Sequence, residues 1–509
     1  MTSPQDFDPA RIASEALARG GIPGISYQEQ EPEDPRALVE QVVQAVAQLA
    51  PAGWQQIHAA FSLAGAGEIA SVVAITPTEP QQIRIPVELM EPVRRHRLLT
   101  IGEQGPWFRL LFDCDSEGNF QVAFDYGDNE FPADQLLPSD EYLRDYQEFP
   151  RPDAPVWLLA YMANDGHQLR SPAAARASAE GNSDPALIQR VEDELPPLPA
   201  LWARMAALAA VCHGSDAPVG PSADPSFQLY IGENGGCTLS RLPDGRGVLS
   251  GGRDDSPLLS AGYKGLVAFP DLYRGAPVWL HTLYLDPRAG RGMLSFCYWW
   301  EHNSWYRSAL PEADSLRTQT PAWNPIDEIA RGVPGVWTID TTVTLVTAVL
   351  KRIGVELTDR NHYSALDFVR ACEAGIASEG YVRRMFLDGI PESFSLAEAL
   401  AQLDATGVLL PRIPPISKEA AIAEVHKFCR DHGVDTVGYP MDTLSPARID
   451  GGWQVYAPIE PGSMGIGRMY FLAADDGVVE KASTSRQPGE IEFIFASRFA
   501  ERVRGRRTT

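Results

Sequence analysis

Apolar and polar residues alternate over 107–126 in the way that a β-hairpin requires. Two runs rich in β-forming residues, 107–112 and 120–126, are joined by a turn that contains Gly118 and Asn119. These two residues can adopt the positive φ angles of a hairpin turn. In the second run, apolar residues alternate with small or polar ones, which predicts one face in the core and another that meets solvent or a partner.

The hydrophobic pattern also predicts the elements of the rest of the chain. Apolar residues at helical spacing predict helices, and short apolar runs bounded by Gly, Pro or Asp predict strands. The predicted helices are 37–49, 86–96, 195–212, 341–353, 364–374, 379–387, 396–403 and one from Ser417 to Gly433. The predicted strands outside the first hairpin are 54–63, 69–75, several between 227 and 285, 293–300, 452–456, 468–473 and 478–480.

A second hairpin is predicted near the middle of the chain. Its first strand is 277–285, its turn is 286–292 and its second strand is 293–300. The order of proline, tryptophan, strand, turn and aromatic strand matches the first hairpin. The two segments are either diverged copies of one repeat or independent hairpins with the same turn chemistry.

Together these elements predict an α+β protein of several domains, with antiparallel sheets, packed helices and a small helical region. A chain of 509 residues has room for about two to four domains. Shifts in composition predict a flexible lead (1–35), an α+β domain (36–165), a linker (166–190), a second α+β domain (191–325), a helical region (326–410), a short linker (411–416) and a small α+β domain (417–500).

Composition limits the classes of partner and the compartment. The net charge of -24 and the pI near 4.8 argue against binding to nucleic acid or to an anionic membrane. Six cysteines are spread singly, without a Cys-x-x-Cys pair, which indicates a reducing compartment. The N-terminal residues lack the pattern of a signal peptide, and no run has the roughly 18 apolar residues of a membrane helix. The sequence therefore predicts a cytoplasmic protein.

Acidic residues are concentrated around and after the first hairpin. Between Asp113 and Asp153 there are twelve acidic side chains and two basic ones, Arg144 and Arg151. A negative field favours a basic partner and disfavours DNA or RNA, because it repels phosphate. An ordinary solvated acidic surface is the alternative interpretation.

Short aromatic and turn motifs occur in a characteristic order within residues 36–162. The opening helix is followed by Pro51-Ala52-Gly53-Trp54, Pro106-Trp107 leads a strand, and Ser116-Glu117-Gly118-Asn119-Phe120 precedes Phe124-Asp125-Tyr126. In this order they resemble the YezG-type immunity proteins of bacterial polymorphic toxin systems. The resemblance implies a small cytoplasmic protein that binds and neutralises a cognate toxin, often a nuclease, and that has no catalytic residues.

A second resemblance lies at the C-terminal end. A helix, a strand led by Trp453 and a strand followed by the turn Asp475-Asp476-Gly477 make residues 416–498 similar to YrhB-type immunity domains. If both resemblances hold, the chain is an array of immunity modules on one polypeptide.

Motifs for catalysis or cofactor binding are missing from the sequence. No Walker loop, His-Glu-x-x-His, Gly-x-Ser-x-Gly or EF-hand pattern occurs, so no catalytic residue, cofactor or metal is expected. The best glycine-rich match, 462–467, has the wrong spacing for a dinucleotide fingerprint and predicts a loop. On one predicted helix, core packing of Cys429 is favoured over a metal site with His426 and His432.

Three further patterns have structural explanations. The acidic pairs at 254–255 and 475–476 predict glycine-rich turns rather than paired catalytic carboxylates. The aromatic residues at 299–300 and 305–306 predict core packing, with a contact surface for a partner as the alternative. The basic stretch at 502–507 predicts a frayed, solvated end.

These observations favour an immunity protein (antitoxin) that covers the basic surface of a cognate toxin with an acidic one. The residues expected to bind the toxin follow the aromatic strand directly and are Asp125, Asp128, Glu130, Asp134, Asp140 and Glu141. One alternative is a hydrolase with a scattered site around His281, His302 and Asp286. Another is a multidomain scaffold or adaptor of a toxin-delivery system.

Overall fold

The structure is a computed structural model that describes residues 34–163, 188–242, 244–282, 285–310, 323–458 and 468–507. Most of the predicted lead (1–35), most of the predicted linker (166–190) and the predicted glycine loop (462–467) lie outside these residues. The predicted α+β class is confirmed, since the described residues form three antiparallel sheets with packed helices.

The chain divides into two compact units, and each unit combines segments that are separated in the sequence. The first unit consists of Met1–Gln189, Gly251–Cys297 and Arg307–Ile329. The second consists of Arg190–Ser250, Tyr298–Tyr306 and Ala330–Thr509.

The first unit contains a five-stranded antiparallel sheet. Its elements in chain order are α1 (Pro35–Leu49), β1 (Gln56–Ala64), β2 (Gly67–Ile75), β3 (Pro80–Gln82), α2 (Met90–Leu99), β4 (Arg109–Asp115), β5 (Phe120–Asp125), α3 (Ser139–Glu148) and α4 (Val156–Ala163). Helix α1 begins where Asp34 caps it, because the carboxylate accepts a hydrogen bond from the Arg36 amide at 3.0 Å. The strand order β3-β2-β1-β4-β5 leaves β3 and β5 at the edges.

One face of this sheet packs against α1 and α2. Alternate residues of the central strands, including Phe61 and Phe112, lie in one core with Val42 and Val46 of α1. The two valines share a helix face because they are four residues apart. A second core contains Tyr142 of α3, residues of α4 and the end of β1.

A seven-stranded sheet follows along the chain, most of it in the second unit. Its elements are β6 (Ile188–Val191), α5 (Leu198–Gly214), β7 (Gly220–Ala223), β8 (Phe227–Gly232), β9 (Gly235–Arg241), β10 (Gly247–Arg253), α6 (Pro257–Tyr263), β11 (Phe296–Glu301) and β12 (Ser304–Ser308). The strand order is β6-β12-β11-β10-β9-β8-β7.

The predicted second hairpin, with strands 277–285 and 293–300, is wrong. Residues Val278–Thr282 form a 3-10 helix instead of a strand. A second 3-10 helix follows at Pro287–Arg291, because the Asp286 carboxylate caps it and proline favours the first position of a helical turn.

The hairpin that does form in this region joins β11 to β12. Its turn residues, His302 and Asn303, have φ values of 50° and 57°, as a type I′ turn requires. The order of proline, tryptophan, strand, turn and aromatic strand that suggested an internal repeat is therefore not found in the structure, because residues 277–300 do not form a hairpin like that of β4 and β5.

The helical region follows the seven-stranded sheet. Its helices are α7 (Pro325–Gly332), α8 (Ile339–Arg352), α9 (Asp359–Glu373), α10 (Glu379–Arg384) and α11 (Leu396–Ala405). Thr338 and Thr358 form capping boxes that fix the starts of α8 and α9. Helix α5 is apolar on nearly all sides and is buried against α8, α9 and α11.

The C-terminal part forms the third sheet. Its elements are α12 (Lys418–Asp431), β13 (Ser445–Ile449), β14 (Gly452–Tyr456), β15 (Met469–Ala474), β16 (Val479–Ser483) and α13 (Pro488–Arg507), and the strands lie in chain order. Ser417 caps α12 as predicted, since its side chain accepts from the Ala420 amide at 3.1 Å.

The prediction of a frayed end at 502–507 is wrong. These residues are the last turns of α13, in which Arg502 pairs with Asp476 at 2.8 Å and Arg504 donates to the Gly375 carbonyl at 2.6 Å. The Asp476 side chain is fully buried, so its negative charge requires the arginine beside it.

Candidate partner-binding surface

The hairpin of β4 and β5 is present as predicted, with Phe112 opposite Val122. Its turn is held by Asp115, whose carboxylate accepts from the Glu117 and Asn119 amides at 3.0 and 2.9 Å. The Asn119 side chain and amide hydrogen bonds hold the pKa of Asp115 below its usual range. Asp115 therefore remains a negative charge at the tip of the hairpin at neutral pH.

Strand β5 is an edge strand whose backbone groups alternate in direction. The Asp115 amide donates to the Asn119 carbonyl at 3.0 Å, which fixes the odd-numbered residues of β5 as the ones that hydrogen-bond to β4. Phe120, Val122 and Phe124 therefore direct their N–H and C=O groups away from the sheet. Such an edge can pair with an extended segment of another chain.

The aromatic residues of β5 lie on the core side of the sheet but remain partly accessible. Phe120 and Phe124 are each 39% exposed, because β5 is the last strand. The Phe124 ring stacks on His96 of α2, with centroids 5.0 Å apart and planes at 8°. Burial lowers the pKa of His96, and its Nδ1 accepts from the Trp107 indole at 3.2 Å, so the imidazole is neutral. The predicted core face thus continues into an exposed aromatic edge.

Arginines neutralise four of the six residues predicted to bind a partner. The pairs are Asp125 with Arg109, Glu130 with Arg291, and both Asp140 and Glu141 with Arg144. Two of these arginines, Arg109 and Arg291, come from outside the acidic stretch 113–153 that suggested a negative surface. The acidic field over this part is therefore weaker than the sequence count indicated.

The other two predicted residues are more open. Asp134 is exposed and accepts from the Ser71 hydroxyl at 3.3 Å. Asp128 is exposed and forms no hydrogen bond or ion pair with another residue that the structure describes.

Further acidic groups lie at the hairpin tip, and the prediction did not include them. Asp113 contacts His58 on β1, with 2.5 Å between Oδ1 and Nδ1, and both side chains are exposed. Asp115 and Glu117 have no lysine or arginine partner among the described residues. We define the hairpin surface by residues at the tip and outer edge of this hairpin together with one exposed acidic residue three positions after β5: Asp113, Asp115, Glu117, Phe120, Phe124 and Asp128.

Residues of the alternative sites have other environments. Asp286 is buried and its carboxylate accepts from the Arg288 amide at 3.0 Å, while His302 occupies the β11–β12 turn. The side chain of His281 lies outside the described residues. Cys429 lies in an apolar core, as predicted, and core packing is confirmed for the aromatic cluster by the burial of Trp299, Trp300 and Trp305.

The acidic pairs lie in turns, as predicted, and each of their carboxylates also meets an arginine. The ion pairs are Asp254 with Arg288, Asp255 with Arg253, Asp475 with Arg448 and Asp476 with Arg502.

Membrane-spanning helices, metal sites and similarity to known proteins were also considered. Within the residues described, no helix combines the length and apolar character needed to cross a membrane. The same residues include no group of three or more His, Cys, Asp or Glu side chains placed to hold a metal ion. No protein-family model matches the chain, and no curated protein does either. Function is therefore inferred from the chemistry of the hairpin surface.

Proposed function

We propose that this chain is a cytoplasmic immunity protein (antitoxin) that binds and occludes a cognate polymorphic toxin, with nucleases as the expected class. The observation that supports the proposal is the hairpin surface, where acidic groups without arginine partners precede and follow two exposed phenylalanines in the chain. An acidic surface of this kind attracts a basic active-site cleft, and aromatic rings supply the apolar contact that slows release.

The six residues first expected to bind the toxin differ in their suitability. An arginine already satisfies Asp125, Glu130, Asp140 and Glu141, so each must exchange that partner for a toxin cation. Asp128 and the acidic tip have no such competitor. We therefore place the main electrostatic contact at Asp115, Glu117 and Asp128.

The test compares two full-length variants that have the same net charge. In the hairpin variant, Asp115→Lys, Glu117→Lys and Asp128→Lys reverse the charge of the hairpin surface. In the control variant, the exposed residues Glu356, Asp388 and Glu392 of the second unit are changed to lysine. The wild-type protein and both variants are used to capture partners from native cytoplasm, and the retained proteins are identified by mass spectrometry.

The expected partner is a protein that arrests growth when expressed alone. Co-expression of the wild type and of the control variant relieves the arrest, whereas the hairpin variant loses about tenfold or more in binding and does not relieve it. A partner that binds the hairpin variant as well as the wild type overturns the assignment of the surface. A wild-type protein that retains no growth-arresting partner overturns the proposed function.

A further inference from the structure

A cavity of about 490 Å³ opens within the second unit, and no residue of the hairpin surface lines it. Its apolar lining comes from α5, the start of β7 and α8, with Leu208, Val219, Leu345 and Val349 as the main side chains. A cavity of this volume, lined mostly by apolar groups and a few polar ones, matches the usual form of a small-molecule site.

Two hydrogen-bond donors of this lining lack acceptors within the part of the chain that the structure describes. The Tyr230 hydroxyl and the Arg352 guanidinium form no hydrogen bond or ion pair there. Tyr230 is half-buried, and burial raises its pKa, so its hydroxyl stays protonated and can donate. Arg352 lies at the end of α8 and is exposed, so its guanidinium is open to solvent as well as to the cavity.

The two donors without acceptors favour an anion over a cation, because an anion supplies acceptor oxygens for both. Arg331 and the carboxylate of Glu233 also line the cavity. A guanidinium and a phenolic hydroxyl are complementary to the two oxygens of a carboxylate. The apolar walls disfavour a fully hydrated ion such as free phosphate. Such an ion would lose water on entering the cavity and has no apolar group to contact these walls.

The thiol in the lining does not suggest covalent chemistry. Burial raises the pKa of Cys212 to about 11, so the sulfur is a neutral thiol at physiological pH. A Cβ atom at Gly220 would lie 2.6 Å from the Cys212 sulfur, so this glycine lets β7 pass directly over the thiol. The sulfur therefore contributes apolar wall rather than a nucleophile.

From this arrangement we propose that the cavity binds a small organic acid with an apolar body, such as a medium-chain carboxylate. The carboxylate accepts hydrogen bonds from Arg352 and Tyr230, and the hydrocarbon contacts Leu208, Leu345 and Val349. This site is independent of the proposed toxin binding, because it needs no residue of the hairpin surface.

The experiment measures the binding of three probes of equal chain length to the full-length protein by isothermal titration calorimetry. Octanoate, octanol and octylamine share the apolar body and differ in the polar group. We expect saturable binding of one octanoate per chain and at least about tenfold weaker binding of octanol and octylamine, because only the carboxylate matches both donors.

Variants separate this site from general adsorption of an amphiphile. Arg352→Gln and Tyr230→Phe should each weaken octanoate binding, the arginine change by about tenfold or more. Lys351→Gln is the matched control, since Lys351 and Arg352 are both exposed cations at the end of α8 but only Arg352 lines the cavity. Leu345→Trp should abolish binding by filling the space.

The proposal is overturned if octanoate does not saturate, or if octylamine or octanol binds as tightly. It is also overturned if Lys351→Gln weakens octanoate binding as much as Arg352→Gln does. Circular dichroism of each variant establishes that a loss of binding is not a loss of fold.

Discussion

Asp145 and Glu328, two carboxylates of the first unit, are equally buried, at 1% exposure each, yet their environments are opposite. Asp145 on α3 lies between two guanidiniums, with 2.5 Å to Arg97 and 3.3 Å to Arg151. It also accepts from the Gly65 amide at 3.3 Å. Its charge is thus paired and hydrogen-bonded, which is what a charge removed from water requires.

Glu328 on α7 has polar neighbours but forms no ion pair with another residue that the structure describes. Its Oε1 accepts from the Trp323 indole at 3.0 Å, while its Oε2 has no hydrogen-bond partner among the described residues. Burial raises the pKa of Glu328, although the Ser295, Trp323 and Ser256 side chains favour the charged form and Arg253 acts in the same direction from a distance.

The difference shows that the same degree of burial accompanies two different roles of a carboxylate in this unit. The arginines around Asp145 also bind backbone: Arg97 donates to the Trp107 carbonyl at 2.7 Å, and Arg151 donates to the Gln104 carbonyl at 2.8 Å. Trp107 in turn contacts His96, on which Phe124 of the hairpin surface stacks. The Asp145 cluster therefore positions the start of the hairpin, whereas Glu328 is a buried acid that carries a cost when it ionises.

The largest expected effect comes from removing the charge of Asp145. Asp145→Asn leaves Arg97 and Arg151 buried without a counter-charge, so we expect the loss of about 3–5 kcal/mol of stability. Native-state hydrogen exchange of α2, α3 and β4, followed by mass spectrometry, measures this locally.

The matched control is Asp140→Asn on the same helix. Asp140 is exposed, and its partner Arg144 still forms an ion pair with Glu141 in this variant. The change should therefore lower the free energy of unfolding by no more than about 0.5 kcal/mol. Equal protection in the two variants would show that the buried cluster adds nothing beyond an exposed pair.

The next effect concerns the pH dependence of Glu328. Because its pKa in the folded state is raised above the ordinary value of 4.5, the folded protein holds this proton more tightly than the unfolded chain does. The contribution of Glu328 to stability is therefore fully present at low pH and is lost as the pH rises through its folded-state pKa. As the pH rises through that window we expect faster hydrogen exchange in α6 and α7.

Glu328→Gln separates this titration from other pH effects. The amide is neutral at every pH, so exchange in α6 and α7 should lose the part of its pH dependence that belongs to Glu328. A slope that the variant leaves unchanged would place the titration in another group.

The hairpin of β4 and β5 and the start of α12 could be predicted from the sequence because local rules decide both. Alternation, the Gly118-Asn119 turn and Ser417 as a helix cap each act within a few residues. The second hairpin was mispredicted because Trp279 to Leu285 has a strand-like composition, while the proline and aspartate capping at Asp286 and Pro287 starts a 3-10 helix. The capping signal of Asp286 and Pro287 was therefore present in the sequence, but the prediction gave more weight to the hydrophobic run before it.

The electrostatics of the candidate site could be predicted only in part. Arg109 was within reach of sequence reasoning, because the hairpin register places it opposite Asp125. Arg291 was not, since it lies 161 positions from Glu130 in the chain. The partner of Arg504, a carbonyl 129 residues away, was equally out of reach. Charge counts along a chain omit such distant partners, and so they overestimate a surface field.

The smallest effect tests whether the Asp145 cluster is as tightly packed as its burial implies. Gly105 and Gly118 both have positive φ, 78° and 91°, so alanine should cost about 1–2 kcal/mol at either position through backbone strain. A Cβ at Gly105 would lie 3.3 Å from the Arg151 guanidinium carbon, whereas a Cβ at Gly118 would meet nothing within 4 Å. Gly105→Ala should therefore cost more than Gly118→Ala, and the excess should appear as faster exchange in α3, which carries Asp145. Equal costs would mean that Arg151 moves aside freely. Its hydrogen bonds to the carbonyls of Gln104 and Pro106 would then not hold the segment that leads into β4.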